Sequence, residues 1–269
     1  MTLRTSKTVL QYMSDLHLER IHYEYTITPA APVLILAGDI GCFCDYDKYR
    51  VFLTNVCNAY ELVLLVAGNH EFYGSSREEG LEAAERLVHE PSMHGKLRVL
   101  NPGRVDIPES NVTVLGCTLH SRIRSDYTAL TNDFEQIRNW SVKAHNEEHE
   151  KDLAWLKSRL RDIVENEPER QVVVVTHYAP MFKGISHPSH ENSALARCFS
   201  SSALDEVQRE VDMPSGGYWI FGHTHWNAQL KIGRWCVLSN QLCSNKARLS
   251  WWQRLTLYRP FDPQATISL

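Results

Sequence analysis

The 269-residue sequence has no apolar run of the ~18 residues needed to cross a bilayer as a helix, so a membrane protein is not expected. Nor is there a surplus of positive charge. Lysine and arginine number 28 against 32 aspartates and glutamates, a formal charge of −4. With no basic run, that balance argues against a nucleic-acid footprint or a polybasic lipid-binding patch. The opening residues, Met1 to Lys7, lack the apolar core of a secretory signal. The cysteines number seven, which is odd, and none form a Cys-x-x-Cys pair. Cys42 and Cys44, two apart, read as ordinary reduced thiols, and a cytoplasmic protein is the expectation. Internal repeats and low-complexity segments are also missing, which excludes solenoids and disordered tails.

What is present is a chain with 43% hydrophobic residues, ample for a large core. Apolar runs predict strands over residues 9–13, 32–37, 62–67, 97–100, 112–119, 171–176 and 218–221. Three-to-four spacing of Tyr46, Tyr49, Leu53, Val56 and Tyr60 predicts a helix. So do Leu81, Ala84, Leu87 and Val88, and so do Leu153, Leu156, Leu160 and Ile163. Helical turns are expected roughly over 192–211, and an irregular loop over 184–190. Residues 229–232, 235–239 and 255–258 alternate like antiparallel strands. Strands alternating with helices, then a run of strands, point to a mixed α/β sandwich. Residues 120–149 are polar and aperiodic and read as an excursion from the core, a candidate lid.

Polar side chains able to bind metal stand directly after five of these strands: Asp15 and His17, Asp39, Asn69 and His70, His177, and His223 with His225. Open α/β sheets bind ligands beyond the carboxyl ends of their strands. Residues two apart in extended backbone share a face, so the two-apart pairs can each grip one ion. Carboxylates, an amide oxygen and imidazoles without a thiolate suit Mn, Fe or Zn ions and not a thiolate-rich structural zinc site. The set is too large for one ion and about right for two, with Asp39 the natural bridge. Two such ions would generate a bridging hydroxide to attack phosphorus and would clamp an in-line displacement. One imidazole is left over to protonate the leaving oxygen. Taken singly, Asp-x-His is usually a solvated turn and Gly-Asp a helix cap; their recurrence in order is the signal.

The order Asp15-Leu16-His17, Gly38-Asp39, Gly68-Asn69-His70-Glu71, Thr176-His177 and Gly222-His223-Thr224-His225 resembles the calcineurin-like metallophosphoesterase family over roughly residues 9–245. The resemblance implies a four-layer α/β/β/α sandwich of two mixed sheets flanked by helices, with residues 1–269 as one domain. It implies an enzyme, a metal-dependent hydrolase of phosphate esters acting on a small or medium-sized molecule. One ion would belong to Asp15, His17, Asp39 and His225, the other to Asp39, Asn69, His177 and His223. His70 would be the general acid, and with Asp39 it would carry the catalysis. The alternatives are a catalytically silent scaffold of the same fold and a metal-assisted reaction on a non-phosphate substrate.

Protein Ser/Thr phosphatases of this family carry a phosphate-gripping arginine soon after Gly-Asp. Here Asp39-Ile40-Gly41-Cys42-Phe43-Cys44 has none, so a protein substrate is not expected, and the balance leans toward diesters or anhydrides. Candidate substrate contacts are His120 and Arg122 (with Arg124 beside them), and His187 and His190 on the loop after His177. Tyr73 and Tyr178 read as pocket walls or as packing residues, and Trp140, Trp226, Trp251 and Trp252 as core or rim.

Overall fold

Every residue of the strand Val33–Ala37 is apolar because both of its faces are covered. In the computed structural model, which describes residues 7–244, 246–247 and 249–269, Val33, Ile35 and Ala37 face a second sheet while Leu34 and Leu36 face helices. That alternation repeats across the molecule and builds four layers.

The first sheet contains β1 (Val9–Met13), β2 (Val33–Ala37), β3 (Leu62–Val66) and β4 (Leu97–Leu100), all parallel. The second contains β5 (Gly103–Asp106), β6 (Val112–Cys117), β7 (Gln171–Thr176), β8 (Gly217–Phe221), β9 (Gln229–Ile232) and β10 (Trp235–Ser239), in the order β5-β6-β7-β8-β10-β9. Its middle is parallel, and β5 and β9 pair antiparallel at the two edges. A last strand, β11 (Thr266–Ser268), pairs antiparallel with β1, so both sheets are mixed. Leu10, Val33, Leu64 and Val66 of the first sheet meet Val114, Val173, Val175 and Ile220 of the second in a dry middle layer.

Helices cover the outer faces. On the first sheet, α1 (Tyr46–Ala59) buries Tyr49, Phe52, Leu53 and Val56, and α2 (Arg77–His89) buries Ala84 and Leu87. Ser76 and Glu79 start α2 as a reciprocal capping box. A short helix, α3 (Asp133–Gln136), precedes α4 (Val142–Asn166), which lies on the second sheet through Leu153, Leu156, Leu160 and Ile163. Beside it run α5 (Ala194–Phe199) and α6 (Ala203–Glu210). A final helix, α7 (Trp251–Thr256), projects from this frame.

Three expectations need correction, and two edge strands were not foreseen. Residues 142–149 are not part of an excursion: Ser141 caps the first turn of α4 there. The helical face over those turns is polar, which hid it from a hydrophobic count. His149 Nδ1 donates to Leu119 O at 2.8 Å and Asp152 accepts from Leu119 N at 2.8 Å, so this buried polar face holds the end of the preceding loop. Residues 255–258 are not a strand. Ser250 and Gln253 form a capping box that starts α7, and Leu255 is its last full turn. Trp251 and Trp252 are not core, being 63% and 68% exposed on that helix, and they do not line the main cavity. The edge strands β5 and β11 carry too few apolar residues to be read as strands; partner strands define them. Among the described residues, no helix is long and apolar enough to cross a membrane.

Candidate active site

The carboxyl ends of β1, β2 and β3 in one sheet and of β7 and β8 in the other converge on one spot. The chain turns there in backbone conformations that side-chain-bearing residues seldom adopt. Asp15, His17, Asp39, His223 and His225 have φ of 54°, 48°, 54°, 70° and 49°. Such strain persists only where the surroundings impose it, and it gathers at functional sites. The imposition is visible. Asp15 N donates to Gly38 O, His17 N to Asp39 O, and Gly222 N to His177 O, each at 2.9–3.0 Å. His223 N donates to the Asp15 carboxylate at 3.0 Å. Two glycines make this interlacing fit, since a Cβ on Gly38 would collide with the His177 ring and one on Gly68 with the Asp39 carboxylate.

The side chains form two facing sets joined by Asp39. On one side, His177 Nε2 lies 3.1 Å from Asn69 Oδ1, 3.1 Å from His223 Nδ1 and 3.3 Å from Asp39 Oδ1. On the other, His225 Nε2 lies 3.1 Å from His17 Nε2 and 3.4 Å from Asp15 Oδ1, and His17 Nε2 lies 3.9 Å from Asp39 Oδ2. A ring nitrogen carries at most one proton, so His177 Nε2 cannot serve three partners by hydrogen bonding. Atoms bound to one ion at about 2.0–2.2 Å lie roughly 2.8–3.6 Å apart, which matches these spacings except the 3.9 Å from His17 to Asp39. The His177 Nδ1–H is committed to Ala37 O at 3.0 Å, which leaves Nε2 as the ligand atom. Among the described residues, the groups of imidazoles and carboxylates compact enough to hold a metal ion are Asp15, His17 and His225; His17, Asp39 and His70; and Asp39, His177 and His223.

Electrostatics agree with a cation-seeking site. Burial by itself would raise the carboxylates, but His177 and His70 hold Asp39 well below the usual carboxylate range. Burial likewise opposes the lowering of Asp15, which a hydrogen bond with His225 supplies. Burial would depress His177, yet Asp39 outweighs it and pushes the ring up to about 9. His223, buried beside His177, is driven down.

A sequence model of the calcineurin-like phosphoesterase family matches residues 12–227, a span that holds every one of these side chains. The chain belongs to that family. It is accordingly a metal-dependent phosphoesterase. It is 21% identical over 267 residues to an uncharacterised protein of Acanthamoeba polyphaga mimivirus, covering 87% of this chain and 90% of that one. Among solved structures it is similar to the phosphopantetheinyl hydrolase of Mycobacterium tuberculosis, with a TM-score of 0.59 and 16% identity over 87% of this chain and 89% of that one. A dimetal phosphatase of Danio rerio gives 0.54 and 13% identity over 88% of each chain. At such identities these structures speak for the fold alone.

Three acidic residues that the sequence reading passed over support the phosphoesterase site from behind. Glu71 is fully buried and accepts from the backbone N–H of Gly68 at 2.7 Å, Ile40 at 2.8 Å and Asp39 at 2.9 Å, with Tyr49 Oη at 3.2 Å. It pins two strand ends together; burial, and then Asp39, push it up to about 7. Glu19 Oε1 lies 3.0 Å from His70 Nδ1 and 3.3 Å from His17 Nδ1. Asp133, at the start of α3, receives Asn69, Tyr73 and Tyr178. Glu71 was legible as the fourth residue of Gly-Asn-His-Glu. Asp133 had no signal, because the polar, aperiodic segment around it carries no recognisable motif.

His70 stacks on Tyr73 with ring centroids 4.2 Å apart, and its Nε2 is 3.9 Å from Asp39 Oδ2. Burial would lower its pKa; Asp39 and Glu19 together raise it. The site opens into a cavity of about 620 Å³ whose walls include Arg20, Asn132, His187, His190, Leu195 and Phe199. Of the expected substrate contacts, His187 and His190 do line it, as does Tyr73. His120 and Arg122 do not. His120 is buried behind the site against Trp140, His145 and Tyr178, and burial drives its pKa well down. Arg122 pairs with Glu150 on a separate cleft of about 390 Å³. Tyr178 is also buried rather than a wall. Arg20, three residues beyond the Asp-Leu-His segment, is a cavity-lining arginine that sequence reading missed.

Proposed function

We propose that this phosphoesterase hydrolyses a phosphate ester of a small or medium-sized molecule at two metal ions, with residues 1–269 acting as one domain. The observation that carries the reading is Asp39, whose two carboxylate oxygens address different imidazole sets, Oδ1 toward His177 and Oδ2 toward His17. Asp15, His17, Asp39 and His225 would hold one ion, and Asp39, Asn69, His177 and His223 the other. Oxygen and imidazole donors without a thiolate suit Mn, Fe or Zn. When bound, such ions supply Lewis acidity toward phosphoryl oxygens and acidify water at neutral pH.

The chain's own residues do the rest. Glu19 accepts from His70 Nδ1–H; burial opposes a second proton on the ring, but Asp39 and Glu19 outweigh it, so Nε2, facing Asp39 and the cavity, can also carry a proton for the departing oxygen. Arg20 supplies positive charge to the cavity for an anionic substrate, and His187 and His190 line the same cavity. His187 is itself braced by Ser189 Oγ at 2.7 Å and Ala247 O at 2.9 Å, which fixes its ring. A cavity of this size takes a small organic phosphate whole.

The test is turnover of p-nitrophenyl phosphate and bis(p-nitrophenyl) phosphate by the Mn-reconstituted chain, beside Asp39→Asn and His70→Ala. Turnover of either ester that collapses in Asp39→Asn supports the reading, and the preferred ester names the reaction class. Asp39→Asn turning over as fast as wild type refutes it.

A further inference from the structure

Asn69 can serve a cation only through its side-chain oxygen, and an amide presents oxygen on one side and NH₂ on the other. Something must choose. Asn69 Nδ2 lies 2.8 Å from Asp133 Oδ1 and 3.0 Å from Tyr73 Oη, while its Oδ1 lies 3.1 Å from His177 Nε2. Tyr73 Oη donates to Asp133 Oδ1 at 2.8 Å, so it can offer Asn69 only a lone pair. Tyr178 Oη donates to the other oxygen, Oδ2, at 2.9 Å. An ionised carboxylate only accepts, so the whole network runs in one direction, from three donors into Asp133.

Asp133 is buried, and among the described residues no lysine or arginine pairs with it. A buried carboxylate without a cation is costly. Cations bound on the far side of Asn69 would offset that cost, through the amide that Asp133 polarises. The residue comes from the segment first read as a lid, on a helix of its own between β6 and α4.

We propose that Asp133 is a positioning residue of the metal centre: it selects the Asn69 amide orientation and so completes the binding of the ion shared by Asp39, Asn69, His177 and His223. The inference rests on the two-ion reading above. It predicts that the segment before α4 matters for metal loading without touching metal or substrate.

The experiment uses the full-length chain, stripped with chelator and titrated with Mn²⁺ by calorimetry. Electron paramagnetic resonance reports whether the two ions couple, and thermal melting of the metal-free protein reports folding. Wild type should take up two coupled ions. Asp133→Leu removes the carboxylate that accepts from the Asn69 NH₂, and should keep one ion while binding the second about 10–100-fold more weakly, with loss of the coupled signal. The swapped double variant, Asn69→Asp with Asp133→Asn, puts an acceptor toward the ion and a donor behind it, and should load two ions. If Asp133→Leu does not fold, Tyr73→Phe and Tyr178→Phe carry the comparison: losing the Tyr73 hydroxyl should weaken the second ion, and losing the Tyr178 hydroxyl should not. Two-ion loading of Asp133→Leu at wild-type affinity overturns the inference, as does failure of the swap to load two ions, or equal losses in the two tyrosine variants. Wild type that loads fewer than two ions overturns the two-ion reading itself, which separates the two failures.

Discussion

Replacing Glu71 by Gln exchanges one carboxylate oxygen for an NH₂ of nearly the same size, so it perturbs hydrogen bonding and almost nothing else. Oε2 accepts from Gly68 N and Asp39 N; Oε1 accepts from Ile40 N and Tyr49 Oη, with Gly41 N at 3.4 Å. Whichever way the Gln amide turns, its NH₂ must face at least one buried backbone N–H, and Oε2 replaced this way strands two. An unsatisfied buried donor costs about 1–3 kcal/mol, so the change should cost about 1–3 kcal/mol with one donor stranded and about 2–6 kcal/mol with two. Either is a sizeable share of the 5–15 kcal/mol typical of a folded domain. At about 2–4 °C per kcal/mol for chains approaching this size, the melting temperature should fall by at least about 2 °C. The stranded donors belong to the turns that carry Asp39 and Asn69, so Mn²⁺ uptake should weaken along with stability. Circular dichroism melting and calorimetric Mn²⁺ titration measure both. A Glu71→Gln chain that melts within 1 °C of wild type and binds Mn²⁺ normally would refute the claim that this carboxylate holds the two strand ends together.

Two further outcomes follow from the same geometry. His145 is fully buried, and burial lowers its pKa to about 4, against the pull of Asp133. Its unfolded value is about 6.5, so between those limits the unfolded chain binds the extra proton, and this group's contribution to stability is lost as pH falls from about 6.5 to about 4. The loss is up to about 3 kcal/mol; urea unfolding across that window should show a shallower slope in His145→Gln, and identical slopes would sink the argument. Gly68→Ala pushes a methyl group into the Asp39 carboxylate and the His177 ring, so metal binding should drop sharply in a chain that still folds; undiminished two-ion loading would mean that the strand end yields.

The strands that carry the site were legible because each is buried on both faces and reads as an unbroken apolar run, as β2, β3 and β7 do. The helices α1 and α2 showed the expected period because one face packs on a sheet. The first turns of α4 did not, since His145, His149 and Asp152 bury polar atoms that are satisfied by residues 119–121, and a hydrophobic count scores them as exposed. The helix α7 was misread because its apolar residues alternate while its start is set by a capping box.

The sequence alone determined which residues could bind metal, their order after successive strands, and the family they resemble, because a short polar segment after a buried strand stays local whatever the rest of the chain does. Tertiary structure decided everything that depends on strands from different sheets meeting: the sharing of Asp39 between two imidazole sets, the partnership of Glu19 with His70, and the exclusion of His120 and Arg122 from the cavity. It also brought Asp133, 64 residues from Asn69, to within 2.8 Å of the amide. Hydrogen-bond direction is a property of neighbours in space, and no spacing along the chain encodes it.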